Sequence, residues 1–413
     1  MGSVNRRHFL GAAAALPLLN PTRVLGANDR LRVGFIGMGG RAHWLLGYDL
    51  PGAEVVAVAD CAKDRMIETV KAHPESSRWT QYTDYRRMLD TEKLDAVWIE
   101  TTTHARALIA IHALQAGLDV YAEKPLTLTV AEGLALRRAV KQYKRVLQTG
   151  TQQRSIPANA YASKLVREGA IGFVHTVVAC NFEPPKIWIP RAPMAIPEGL
   201  DWEQWCNQTE LRQYHVELQR GWSSYRDYDG GGQSWGVSGW GTHALDQVQC
   251  ALGTDHTGPT EIWQEEAGAS KPIFMRYLNG TVLKMVGPKR DHADLGAIFY
   301  GTNGWIEIKR GLFETNRSEL YKGAPEPTPE GRGEDSFHLA NFLDCVRSRK
   351  LPNAHVEVGH RSTTVCHLAN ICRELERPLR WDPNQERFFN DGEADRLLAR
   401  PRRKGYELPK VDG

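Results

Sequence analysis

Two residues of this chain stand in patterns that can move a proton: Lys124 and His243. Lys124 follows an apolar run and is flanked by Glu123 and Pro125. Proline keeps the residue before it out of the helical region, which predicts an extended Lys124 at the carboxyl end of a strand. Ligands of open α/β sheets bind at that edge. A lysine there can hydrogen-bond a hydroxyl, and a depressed pKa lets it relay a proton; a plain surface ion pair with Glu123 is the competing role. His243 lies in Trp240-Gly241-Thr242-His243-Ala244-Leu245-Asp246-Gln247. Ala244, Leu245, Val248, Ala251 and Leu252 form one apolar helical face, while His243 and Asp246, three apart, are neighbours on another. In the first turn of that helix the positive end of the dipole disfavours an imidazolium and suits a neutral base. A capping or packing histidine would fit the same spacing.

These groups need a carrier for electrons, and the N-terminal third supplies its signature. The run from Leu31 to Arg41 reads as a strand entering Gly37-x-Gly39-x-x-Ala42, with Gly40 and Arg41 inside the turn. Asp60 closes a second apolar run about 20 residues on, the interval at which an acid meets a ribose hydroxyl. The first glycine permits the tight turn, the second lets backbone approach a pyrophosphate, and the small third residue lets helix and strand pack closely. A tight turn without a ligand would not call for Asp60. Thr101, His104, Glu123 and Lys124, at the ends of the following strands, complete the expected cofactor contacts.

Strands are expected at Leu31–Ile36, 55–59, 96–101, Asp119–Ala122 and 146–149, with helices at 62–72, 106–116 and 129–143 between them. That alternation predicts a doubly wound parallel sheet over 28–150. Beyond it, a helix at 159–168, a strand at 175–180 and strands at 261–264, 273–277, 281–285, 297–300 and 305–309 predict a second, predominantly antiparallel sheet within 151–413. Asn279-Gly280 marks a hairpin turn, and helices at 336–348 and 358–375 close the chain. Gln152, Gln153 and Arg154 follow the strand ending at Thr149, so Gln152 and Arg154, with Trp240 and Asp246, are candidates to line a substrate crevice. Twelve tryptophans are many; aromatic faces suit the C–H patches of sugar rings, although core packing serves most of them.

The remaining chain properties exclude other classes. Hydrophobic residues at 41% and charged residues at 24% are ordinary for a globular protein, and a net charge of +3 gives no footing for nucleic acid. The seven cysteines are scattered without a C-x-x-C pair, so neither a zinc site nor a disulfide framework is expected. Residues 1–27 carry Arg6-Arg7 before a short apolar run at 11–19 and small residues at Gly26 and Ala27. That pattern reads as a twin-arginine export signal, too short to span a bilayer, and implies a periplasmic or otherwise exported protein.

Together these motifs resemble the glucose–fructose oxidoreductase, inositol dehydrogenase and rhizopine-catabolism (Gfo/Idh/MocA) family. The resemblance rests on the 36–41 turn, Asp60, Glu123-Lys124-Pro125, residues 149–154 and 241–246, and it extends from Arg30 to the C-terminus. It implies a Rossmann domain followed by a large open sheet that pairs subunits into a homodimer or homotetramer. It also implies NAD in preference to NADP, a sugar or polyol substrate, Lys124 as catalytic lysine and His243 as active-site histidine. Two positions depart from the family pattern. Many members carry an aspartate four residues before the histidine, where this chain has Gly239, so Asp246 or an acid from 227–229 must substitute if His243 is to be oriented. Arg106 stands where relatives often carry another histidine. Three chemistries remain open at this point. They are dehydrogenation with a tightly held cofactor, redox-neutral glycoside cleavage through a transient keto-sugar, and non-catalytic carbohydrate binding with a retained nucleotide.

Overall fold

The computed structural model describes residues 30–291, 294–329 and 333–411; the twin-arginine pattern lies outside them. Six parallel strands form the first sheet: β1 (Leu31–Ile36), β2 (Ala53–Ala59), β3 (Thr80–Tyr82), β4 (Ala96–Ile99), β5 (Asp119–Ala122) and β6 (Leu147–Thr149). Their order is β3-β2-β1-β4-β5-β6, so the winding reverses between β1 and β4. Ile36 and Ile99 are paired at that point, which aims the turn after β1 into the crevice where such sheets bind ligands. β3 was not expected because it is a short edge strand with polar, mostly exposed residues. The helix Tyr85–Thr91 also escapes the periodicity; Asp84 caps it by accepting from the Arg86 N–H. The helix Thr103–Gln115 begins earlier than expected and is buried on nearly every side, which erases its amphipathic pattern.

The second sheet is nine-stranded and mixed, mostly antiparallel. It comprises β7 (Val174–Cys180), β8 (Pro259–Trp263), β9 (Ile273–Tyr277), β10 (Val282–Gly287), β11 (Ala297–Gly301), β12 (Gly304–Lys309), β13 (Leu312–Thr315), β14 (Leu379–Asp382) and β15 (Arg387–Phe388). The order is β13-β12-β11-β7-β10-β9-β8-β14-β15, and only β7 and β10 pair in parallel. The β9–β10 hairpin turns at Asn279-Gly280, where Gly280 has φ +94°, a conformation glycine adopts without strain. The helices Trp240–Leu252 and Val356–Leu375 contribute Ala244, Leu245, Val248, Val365, Leu368 and Ala369 to the same core as this sheet.

One late helix crosses the division at residue 150. Glu334–Ser348 packs its Leu339, Phe342 and Leu343 into the core built on β1 and β4, with the Phe342 ring edge-on to Trp98 at 5.0 Å. It thereby delivers Asp335 and His338 to the first sheet. No helix among the described residues is long and apolar enough to cross a membrane.

Candidate functional site

The turn after β1 forms the floor of a cleft of about 280 Å3. Gly37 has φ +91°, and a Cβ there would stand 2.8 Å from the Thr101 nitrogen, so the turn passes against the end of β4 with no room for a side chain. Gly39 and Gly40 face the opposite situation: nothing lies within 4 Å of where their Cβ atoms would be. That open space, at the first turn of the helix Gly40–Leu46, can admit a phosphate group to backbone N–H groups. Asp60 ends β2 and anchors the turn by accepting from the Met38 N–H at 2.7 Å and the Ala62 N–H at 2.9 Å. Burial pushes its pKa up against those two hydrogen bonds. Thr101 Oγ1 is buried without a partner. Gly37, Gly39, Gly40, Arg41, Asp60 and Thr101 all line the cleft, and the residues present fit a dinucleotide.

A further stretch of wall comes from residues 204–222, which no motif marks. Gln204, Trp205, Asn207, Gln219 and Trp222 line the same cleft. Their segment is laced to the Rossmann sheet. The Lys63 N–H donates to Gly199 O, the Asp201 N–H to Cys61 O, and Gln204 Nε2 to Thr83 O. Trp202 and Trp205 stack at 4.5 Å, so part of the tryptophan cluster is wall and core. His104 stands behind this wall: its Nε2 meets Trp205 O at 2.8 Å and its ring packs on Tyr228. It buttresses Trp205, and the expectation of direct cofactor contact gives way to that role.

The second part of the site is a corner of buried ionisable groups. Lys124 follows β5, its peptide bond to Pro125 is cis, and its Nζ donates to Gly239 O at 3.1 Å. Burial lowers the lysine pKa while Glu123 and Asp229 raise it. Gly239 cannot carry a side chain, because its Cβ would fall 1.9 Å from Gln233 O. The turn 231–239 is folded that tightly, and Gly239 presents only its backbone carbonyl to the corner. His243 is buried in the first turn of its helix, with Nδ1 unpartnered. Desolvation, then Arg310, Lys124 and Arg41, hold its pKa well below the usual histidine range, so it is neutral. Glu123 accepts from Arg41 Nε at 2.7 Å and from the Lys124 N–H, and the Arg41 guanidinium also grips Asp335. Neither Glu123 nor Lys124 lies on the cleft wall itself.

Two more carboxylates complete the corner: Asp229, one of the acids of 227–229, and Glu100, which no motif marks. Asp229 Oδ2 accepts from Thr103 Oγ1 at 2.5 Å, its Oδ1 is buried and unpartnered, and burial pushes its pKa up to about 6. Glu100, directly after β4, has both oxygens buried without partners, and desolvation followed by the Glu123 charge raises its pKa strongly. A charged residue closing an apolar strand at the crevice was the available signal for it. Arg106 braces the corner through the carbonyls of Thr101 and Pro125.

The expected substrate contacts separate. Arg154 Nε binds both Asp246 oxygens at 2.8–2.9 Å, its outer nitrogens bind Asp255, and Ser362 donates to Asp246. This buried cluster ties the 152–155 turn to two helices; Arg154 and Asp246 are committed to each other, and Asp246 does not orient His243. Gln152 is buried with Oε1 unpartnered. The Trp240 ring packs edge-on against Trp235 at 4.7 Å.

Comparison with known proteins follows the same division. Residues 31–151 match the model of an oxidoreductase family's NAD-binding Rossmann fold, and residues 160–408 match that of its C-terminal alpha/beta domain. The scyllo-inositol 2-dehydrogenase (NAD(+)) of Bacillus subtilis is 34% identical over 30% of this chain and 35% of its own length. The levoglucosan dehydrogenase of Pseudarthrobacter phenanthrenivorans is 35% identical over 35% of this chain and 39% of its own length. The matches thus span about half or less of the curated relatives, 51% in the inositol 2-dehydrogenases of Salmonella. Among solved structures, myo-inositol 2-dehydrogenase from Lactobacillus plantarum shares the fold with a TM-score of 0.59, covering 85% of this chain and 99% of that one at 19% identity.

Proposed function

The chain belongs to the Gfo/Idh/MocA oxidoreductase family, and from that premise we propose that it oxidises or reduces a hydroxyl or keto carbon of a sugar, polyol or glycoside with a tightly held NAD. The observation that carries the reading is the neutral, buried His243 close to a Lys124 whose Nζ is aimed by Gly239 O, at the sheet edge beside the nucleotide cleft. Gly37, Gly39, Gly40, Asp60 and Thr101 would hold the dinucleotide. When bound, the nicotinamide supplies the two-electron exchange with the substrate carbon. Lys124 Nζ hydrogen-bonds the substrate oxygen, and the His243 imidazole takes up or returns its proton. Arg106 and Glu123 keep Lys124 in place from behind.

The laced wall of Gln204, Trp205 and Asn207 supports retention, because it lines the same cleft as the glycine turn and is bonded to the Rossmann domain. Retention suits an exported enzyme, which meets no free nicotinamide pool; the twin-arginine pattern supports that location. Asp60 supports NAD, since a 2′-phosphate would meet its carboxylate. The family resemblance supports a homodimer or homotetramer paired through the large sheet. Asp229 favours a second reading, redox-neutral cleavage of a glycoside, because elimination next to a keto carbon needs one more base than dehydrogenation. Its place near Lys124 would provide one.

The test uses purified protein without added nucleotide, mixed with a panel of sugars, polyols and pyranosides. A stoichiometric rise in reduced-nicotinamide absorbance is expected with one of them. Aglycone release without lasting absorbance change would transfer the assignment to the redox-neutral reading. Silence in both, with nucleotide bound, would leave a carbohydrate-binding protein.

A further inference from the structure

A second cavity, of about 690 Å3, shares no wall residue with the nucleotide cleft and includes neither Lys124 nor His243. Its wall is rich in arginine: Arg212, Arg226, Arg373, Arg396 and Arg400. Three carboxylates line it too, and two of these arginines use them. Arg212 pairs with Glu210 at 3.2 Å and Asp227 at 2.6 Å, and Arg226 pairs with Glu374 at 3.0 Å. Among the described residues no carboxylate lies within ion-pair distance of Arg373, Arg396 or Arg400.

Arg373 is the most telling of the three. It is only 4% exposed, yet its Nε and Nη1 have no acceptor; Nη2 alone is bonded, to Asn181 Oδ1 at 3.0 Å and more weakly to Lys271 O. It sits in the last turn of the helix Val356–Leu375, whose carbonyl end offsets part of its charge. Burial nevertheless pushes its pKa down to about 10. Arg400, also lowered by burial, spends one nitrogen on the Arg226 carbonyl. A guanidinium cannot shed its proton at neutral pH, so a buried one calls for an anion. The N–H groups of Arg396 and Arg400 match a carboxylate or phosphate, and Arg373, whose Nε and Nη1 are sealed from solvent, adds its uncompensated charge to the wall. The volume falls in the range of small-molecule sites and exceeds what a bare ion needs.

We propose that this cavity is a second ligand site, separate from the nicotinamide chemistry, for a monosaccharide-sized acid whose carboxylate or phosphate sits against Arg373, Arg396 and Arg400. Titration calorimetry on the full chain tests it with a hexuronate, a hexose 6-phosphate and the neutral hexose as control. At least one acid binds and the neutral sugar does not bind at this site; the tighter of the two acids identifies the source of the oxyanion. Arg373→Gln and Arg396→Gln each weaken that binding about tenfold or more, and Lys124→Ala leaves it unchanged. Arg396 is exposed, so its variant keeps the test valid should loss of Arg373 impair folding. The proposal is overturned if neither acid binds better than the neutral sugar. It is equally overturned if the folded variants bind like wild type, or if Lys124→Ala abolishes the binding.

Discussion

The glycine turn and the Lys124–His243 corner adjoin the same sheet edge but are built from opposite materials. The turn is main chain: positive-φ Gly37, open amides at Gly39 and Gly40, and an Asp60 whose two oxygens are tied to backbone N–H groups. The corner is side chain: a lysine and a histidine with lowered pKa values, and carboxylates at 100 and 229 with raised ones. In the turn the Gly37 and Met38 N–H groups are satisfied locally, while space is left at Gly39 and Gly40 for a ligand. In the corner His243 Nδ1, Asp229 Oδ1 and the Glu100 carboxylate have no partner. Unsatisfied buried groups are costly, and titratable ones gathered in a cleft mark a place where protons move. Apart from Glu100, which also lines the cleft, the molecule thus keeps binding and proton transfer in separate hands, and variants can be chosen to separate them.

The largest effect is expected from Lys124→Met. Removing the donor that hydrogen-bonds the reacting substrate oxygen lowers turnover by about 10²–10³-fold, while nucleotide affinity stays within error because Lys124 is not on the cleft wall. Single-turnover kinetics and nucleotide titration on one preparation check this. A parallel fall in affinity would show that the two regions are one.

Arg154→Met asks whether a group near the corner is chemistry or scaffold. Its ion pair with Asp246 is buried on both sides, 4% and 1% exposed. Breaking such a pair costs about 3–5 kcal/mol, so denaturant unfolding should show a large loss, with KM nearly unchanged in whatever protein remains folded. A selective rise in KM with full stability would return Arg154 to the substrate.

How much of each region is legible in the sequence follows from how it is made. The glycine turn is contiguous, and its requirements fall on consecutive residues plus one acid at a fixed interval; Gly37, Gly39, Gly40 and Asp60 can be read directly. Lys124 and His243 are legible by their flanking motifs. Asp229 is legible only as one acid of the 227–229 run, because Thr103, which binds it, lies 126 residues away and only the fold brings them together. The wall of Gln204 and Trp205 is hidden for the same reason. Arg154 and Asp246 mislead because a buried ion pair and a substrate contact use the same residue types. The two sheets are visible as alternation and hairpins, whereas β3 and the all-round buried helix Thr103–Gln115 lack the periodicity that exposes an element.

Gly239→Asp places on the turn whose carbonyl accepts from Lys124 the acid that the family resemblance leads one to expect there. Restoring that acid by sequence should fail by geometry, since a Cβ meets Gln233 O at 1.9 Å and the turn must open. Overpacking of this kind costs about 1–3 kcal/mol. Thermal unfolding should register it, with turnover lowered because Lys124 loses the position of its acceptor. Improved activity at full stability would mean that the turn is slack. The pH profile probes the same corner. The Asp229 carboxyl, pushed up to about 6, ionises as pH rises through that value, so kcat/KM should change there. Asp229→Asn should remove the inflection and His243→Gln should leave it, because His243 is already neutral throughout that range.

The smallest effect belongs to the turn. Asp60→Ala removes the acceptor of the Met38 and Ala62 N–H groups, and with it the charge that meets a 2′-phosphate. Each lost hydrogen bond to a charged group weakens its assembly by roughly 1.5–3 kcal/mol, but water can reach the cleft and replace part of it. NAD affinity should therefore fall by only about tenfold, while discrimination against NADP relaxes. Arg65, also on the wall, then lies free of the acid whose charge it faces and can meet the added phosphate. Competitive titration with both dinucleotides measures this directly. Turnover with saturating NAD should be preserved, as expected if the turn holds the ligand and the corner alone moves the proton. An unchanged preference for NAD would place the discrimination elsewhere, on the laced wall that carries Gln204 and Asn207.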